Sequence, residues 1–189
     1  MRRPLLAAAG AVAALLTSVA LAPSAGAAPS PTGLDHRNVP VCDKAPDGFA
    51  RCDAIRRDTV DRSGKPVTVP MAAPAGFGPA DIQSAYNLTG LTAGSTDTVA
   101  IVDAYDAPTA EQDLAVYRAQ YGLPACTTAN GCFRKTSQTG KGTLPRANGG
   151  WAQEISLDLD MVSAACPSCK ILLVEAKTAS FTNLGTAVN

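Results

Sequence analysis

Apolar positions show three textures along the chain. Residues 5–22 are almost uninterrupted Ala, Leu and Val. Residues 28–70 carry Pro, Asp and Arg without a sustained period and predict an irregular N-terminal extension. From residue 71, short apolar runs alternate with segments of helical period. Residues 79–86 predict a short helix, with Pro79 in its first turn and Ile82 and Tyr86 on one face. Residues 98–103 (Thr-Val-Ala-Ile-Val-Asp) read as a buried strand. Residues 109–121 predict a helix. Thr109 and Gln112 form a capping box, Leu114, Tyr117 and Tyr121 an apolar face, and Gly122 and Pro124 a stop. Residues 122–150 form a long loop, and such loops tend to be functional or to hold a hairpin. Residues 151–165 predict a second clear helix, with Trp151, Ile155, Leu159 and Val162 toward the core. Residues 170–175 predict a second buried strand, and a further helix begins at Ser180. This order predicts an α/β domain with a mostly parallel sheet and flanking helices.

The first texture is a targeting signal. Arg2 and Arg3 precede the apolar run, and Ala25-Gly26-Ala27 supplies a small-residue cleavage site. Residues 1–27 are expected to be removed, although the run is near the length of an uncleaved anchor. The remainder suffices for one domain with a core, residues 71–189, behind the extension of residues 28–70. Lys plus Arg and Asp plus Glu balance at 16 each, with no basic patch for nucleic acid and no second apolar span for a membrane. A secreted monomer is expected. All six cysteines lie after the signal, and an even count in an exported chain reads as disulfides. Their local clustering favours Cys42–Cys52, Cys126–Cys132 and Cys166–Cys169. A redox role for Cys166-Pro167-Ser168-Cys169 fits poorly, because the motif follows a helix instead of opening one. One such pair does not complete a zinc site.

The candidate chemistry lies in the second clear helix. Glu154 and Asp158 stand four residues apart in an apolar segment and share a helix face. Like charges at that spacing cost an isolated helix about 0.2–0.5 kcal/mol, and desolvating a carboxylate pair costs more. A chain that accepts the cost can use the pair for acid/base work. Asp160 lies about 200° round the helix from Asp158 and is expected on the surface or in a cap. His36 reads as a surface residue and Trp151 as core. Asn87-Leu88-Thr89 is a glycosylation sequon. The glycines of residues 140–150 lack phosphate-binding spacing. A glycosidase pair is disfavoured, since those carboxylates flank a sugar ring from opposite sides.

From about residue 76 to the end the chain resembles the sedolisin (serine-carboxyl peptidase) family. The matching pieces are Gly78-Pro79-Ala80-Asp81-Ile82-Gln83-Ser84-Ala85-Tyr86-Asn87-Leu88, then Val99-Ala100-Ile101-Val102-Asp103-Ala104-Tyr105-Asp106, then Tyr121-Gly122-Leu123-Pro124. Trp151-Ala152-Gln153-Glu154 leading to Asp158, Ala165-Cys166-Pro167 and Lys170-Ile171-Leu172-Leu173-Val174-Glu175-Ala176 follow. Their order and spacing carry the resemblance, which covers only the front half of a family catalytic domain.

The resemblance implies a subtilisin-like fold, here truncated, and an acid-active endopeptidase acting on polypeptides. Glu154 falls on the family's catalytic glutamate, the base for a serine hydroxyl, and Asp158 on the aspartate that hydrogen-bonds it. Asp103, where subtilisins place a triad aspartate, is expected to give strand-end or substrate-side support. The family's Gly-Thr-Ser nucleophile, its oxyanion aspartate and its calcium ligands would lie beyond Asn189, and Gly185-Thr186-Ala187 is not that motif. Residues 28–189 alone are therefore expected to be inactive. The family's members carry a long folded prodomain, whereas a short cysteine-bearing extension precedes the domain here, so the usual zymogen mechanism is not expected. The competing expectation is a secreted binding or structural module that kept the fold fragment without catalysis.

Overall fold

The computed structural model describes residues 34–68, 74–89 and 97–189. The expected signal, residues 1–27, lies outside the described residues. The described elements are β1 (Leu34–Pro40), β2 (Ile55–Asp61), α1 (Pro79–Ala85), β3 (Thr98–Ala104), α2 (Ala110–Gln120), β4 (Phe133–Ser137), α3 (Gly149–Ala165), β5 (Lys170–Ala176) and α4 (Phe181–Val188).

The domain is α/β. Its sheet has three parallel strands in the order β3-β5-β4, with helices flanking it. Strand β5 is central, pairing Asp103 with Glu175 on one side and Ser137 with Glu175 on the other. Alternation sends Ile101, Ile171, Leu173 and Phe133 to one face, where they pack with Ala110 and Leu114 of α2 and Ile155 and Leu159 of α3. Helices α2 and α3 thus share a face. The connection from β3 to β4 steps past β5, and the one from β4 to β5 steps back. Two crossovers in opposite directions over one face have opposite hands, so one is left-handed, against about 98% of such connections.

Two expectations change. Residues 28–70 are not irregular throughout: β1 and β2 form an antiparallel hairpin with Leu34 opposite Asp61 and Pro40 opposite Ile55. Most of its side chains are exposed, so it carries no apolar alternation to read. The loop of residues 122–150 holds no hairpin; its regular element is β4, added in parallel to the edge of β5. Its five residues are too few to show a period.

Helix details differ as well. Tyr86 is 73% exposed instead of sharing a buried face with Ile82, because α1 reaches α3 through Gln83, whose Nε2 donates to Ala164 O at 2.8 Å. The capping box at Thr109 is absent. Thr109 is in a near-helical conformation, and its hydroxyl donates to Asp113 at 2.7 Å instead. On α2, Leu114 is buried as expected, but so is Arg118, at 2% exposure. Its guanidinium donates to Pro124 O, to Ser163 Oγ at 3.0 Å and to Pro167 O at 2.6 Å. It ties the end of α2 to α3 and to the turn after α3.

The disulfides are Cys42–Cys52, Cys126–Cys132 and Cys166–Cys169, as expected. Among the described residues no helix is long and apolar enough to cross a membrane.

Replacing Arg118 with Ala strands three acceptors, of which Ser163 Oγ is buried and the carbonyls of Pro124 and Pro167 are partly so. Each hydrogen bond to a charged group is worth about 1.5–3 kcal/mol. The expected outcome for Arg118→Ala is a loss of at least ~3 kcal/mol in urea unfolding, and an unchanged midpoint would contradict the clamp.

Candidate functional site: a carboxylate cluster under an N-terminal strap

Helix α3 is started by Asn148, whose side chain accepts from the Trp151 N–H at 3.0 Å. Its buried residues Trp151, Ile155 and Leu159 fix its rotation against the sheet. Glu154 and Asp158 then lie half-buried beside that stripe, one turn apart. Asp103, next to last in β3, joins them. It is 4% exposed, and its Oδ2 has no hydrogen-bond partner among the described residues. Burial pushes its carboxyl up to about 7, helped by the charges of Asp158, Glu154 and Glu175. Burial, then the charge of Glu154, also raises Asp158. The three acids named from the sequence therefore form one electrostatic group.

A fourth acid was not singled out from the sequence. Glu175 is 0% exposed and neighbours Asp103 across the ladder. Its Oε1 accepts from Ala107 N–H at 3.0 Å and faces Lys135 Nζ at 3.7 Å, while Oε2 has no hydrogen-bond partner among the described residues. Burial pushes it up to about 7, against the Ala107 N–H and the Lys135 charge, while Asp106 raises it. Lys135 also pairs with Asp106. The signal was present: a Glu closing a continuous apolar strand must be buried, and buried acids are rare.

The N-terminal segment from Val41 to Arg56 forms a strap over the first turns of α3 and reaches Glu154. The Ala54 N–H donates to Glu154 Oε2 at 2.6 Å, and Arg56 Nη1 to Gln153 Oε1 at 3.4 Å. Ala50 N–H donates to Ala179 O at 2.8 Å, and Phe181 N–H to Gly48 O at 3.0 Å. Cys52, in the Cys42–Cys52 disulfide, packs with Ala104, Trp151 and Ala179. Gly150 permits this approach: an added Cβ would stand 2.7 Å from Val41 O and 2.9 Å from Cys42 Sγ. Neither the amide of Ala54 nor this docking has a sequence signature, because a backbone donor leaves none.

The remaining candidates separate from the cluster. Asp160 is half-buried, not on the surface. It faces α2, where burial and then Asp113 push its carboxyl up to about 7. His36 is exposed on β1, and Trp151 is buried beneath the strap. Asn87 of the sequon is exposed at φ 54° just past α1. Cys166-Pro167-Ser168-Cys169 is a disulfide turn between α3 and β5. Calcium enters only through the family resemblance. Among the described residues no group of three or more His, Cys, Asp or Glu is arranged to hold a metal ion. Comparison with family models, with curated proteins and with solved structures finds no match.

The raised acids set a stability profile. Asp103, Glu175 and Asp160 each bind a proton more tightly folded than unfolded, with folded values near 7 against ordinary values of 3.8 for Asp and 4.5 for Glu. Stability is therefore full below about pH 4 for these groups and lost as pH rises toward 7, each pH unit of that window removing up to about 1.4 kcal/mol per group. Asp58, Asp61 and Glu111 are held low by hydrogen bonds and act oppositely, at and below their ordinary titration range. The melting temperature is expected to peak near pH 4–5 and fall toward pH 8. In Asp103→Asn the fall should be shallower, and an identical profile would contradict the burial argument. Gly150→Ala should loosen the strap. Helix propensity favours Ala by at most about 1 kcal/mol, which the contact with a backbone oxygen outweighs. Faster hydrogen exchange at the Ala54 amide is the expected readout.

Proposed function

We propose that the chain is the acid-pair half of a secreted serine-carboxyl peptidase of sedolisin type, with a subtilisin-like arrangement of its sheet. Glu154 is the base that takes the proton from a serine hydroxyl and returns it to the leaving amine, and Asp158 hydrogen-bonds and tunes it. The observation that carries this reading is the meeting of Glu154, Asp158 and Asp103 at the carboxyl end of β3, with Asp103 and Asp158 raised by burial. A carboxyl that holds its proton beside Glu154 can hydrogen-bond and tune a base that must alternate between charged and neutral forms. Asp103 supports the pair from the strand end. The substrate is a polypeptide.

The nucleophile is not among these residues, and covalent catalysis of this type requires one. Residues 28–189 are therefore expected to leave a denatured protein substrate intact at pH 3–5, and hydrolysis by this chain alone would overturn the reading. In a longer reading frame that supplies the Gly-Thr-Ser serine, Glu154→Gln should reduce kcat by about 10²–10⁴. Asp158→Asn should lower it as well. Full activity in Glu154→Gln would sink the assignment.

One observation favours a second reading, a non-catalytic binding or structural module. The Ala54 amide already occupies Glu154 Oε2, at 2.6 Å. A base capped by a backbone donor is a poor proton acceptor until the strap moves. Wild-type activity in the serine-supplied form with the strap still docked, read from slow exchange at Ala54, would exclude that view.

A further inference from the structure

A cavity of about 630 Å³ opens at the carboxyl ends of β4 and β5. Ligand sites in open parallel sheets lie beyond the carboxyl ends of the strands, and ligand pockets span about 300–1,000 Å³. Its wall carries three cations, Lys141, Arg146 and Lys177, with Leu144 and Pro145 as the apolar part. Among the described residues none of the three cations has a carboxylate within ion-pair distance. The one carboxylate in the lining, Glu175, is fully buried and already faces Lys135 and the Ala107 amide. The wall is therefore electropositive.

The cations sit on a fixed frame. Ser137 Oγ and Thr139 Oγ1 both donate to Lys141 O, the second at 3.0 Å, and close the turn after β4. Gly140 and Gly142 take φ of 72° and 85° in that turn. The Lys177 N–H donates to Gln138 Oε1 at 2.7 Å, joining the two walls. The Arg146 carbonyl accepts from Asp106 N–H at 3.0 Å, and its guanidinium lies 5.4 Å from the centre of the Tyr105 ring. A guanidinium held this way loses little freedom when it binds, and its planar fork suits a carboxylate.

We propose that this cavity binds a carboxylate borne by a peptide, with Arg146 as the principal contact, Lys141 and Lys177 as flanking charges, and Leu144 and Pro145 against the adjoining apolar group. That the carboxylate is a peptide's rests on the peptidase reading; the anion site does not. The carboxylate belongs either to an Asp or Glu side chain or to a free C-terminus.

The test is direct binding of unlabelled peptides to the full chain, read by isothermal titration calorimetry at low salt. Four peptides are compared: one with a Glu side chain and a free C-terminus, its Gln counterpart, its C-terminal amide, and the doubly neutral form. The Glu154→Gln protein is measured alongside, which separates this site from the acid pair. The doubly neutral peptide should bind about tenfold more weakly. A loss on Glu-to-Gln change assigns a side chain, and a loss on amidation assigns the terminus; either supports the site. Arg146→Gln should abolish the preference, while Glu154→Gln should keep it. All three cations are exposed, so the variants should fold, and circular dichroism checks this. Equal binding of all four peptides, no binding of any, or a preference that survives Arg146→Gln would overturn the site. A preference retained by a protein that never cleaves in its serine-supplied form would leave the site standing and sink the peptidase reading.

Discussion

Strand β5 is hydrogen-bonded along both edges, to β3 and to β4, and among the described residues it is the only strand of the parallel sheet so held. Its register decides where every other group in the site lies. Because side chains alternate with a period of two, Ile171, Leu173 and Glu175 must all face the layer of α2 and α3. The first two build the core there, and the third carries a carboxylate into the same layer. A slip of one residue would bring Leu172 and Val174 into the helix layer and turn Glu175 away from Lys135. Apolar burial at the start of the strand thus enforces charge burial at its end. Asp103 is drawn in by the same ladder, as the partner of Glu175.

Four carboxylates now share one end of the sheet, and the cations do not match them. Lys135 serves Glu175 and Asp106, but no cation faces Asp103. Burial in that setting disfavours the ionised form, which is why Asp103, Asp158 and Glu175 hold their protons more tightly than free carboxyls do. A purely structural network would pair its acids. Perturbed acids with a single cation among them, at the carboxyl end of a parallel strand, are the feature on which the proposed proton-transfer role rests. The strap fits the same electrostatics, because a backbone amide is a donor that can satisfy Glu154 without adding a titrating group.

What the sequence disclosed and what it hid follow one rule. Elements that bury a stripe were legible: β3, β5, α2 and α3 each show their period, and Trp151, Ile155 and Leu159 turned inward as read. The acid pair was legible for the same reason, since its spacing lies on a helix already located. The hairpin β1–β2 was not, because Leu-Asp-His-Arg-Asn-Val-Pro and Ile-Arg-Arg-Asp-Thr-Val-Asp are polar on both faces and held mainly by backbone pairing. Arg118 defied the pattern, since a buried guanidinium is indistinguishable in sequence from an exposed one until its three acceptors are in place. The contact between Ala54 and Glu154 spans 100 residues through a main-chain donor, and no local pattern encodes it.

Tyr105 stands where these threads meet. It follows β3 at φ 64°, a left-handed conformation that a bulky side chain adopts at a cost of about 1–3 kcal/mol. The surroundings hold it there: its N–H donates to Ala176 O at 2.8 Å, and Arg146 lies over its ring. On one side Tyr105 packs against the strap beside Trp151 and Asn148. On the other, through Arg146, it borders the electropositive cavity. The strained turn therefore lies between the segment that covers Glu154 and the wall of the electropositive cavity. That gives the strain a physical use, since a relaxed glycine at this position would leave Arg146 without its ring and the strap without its neighbour.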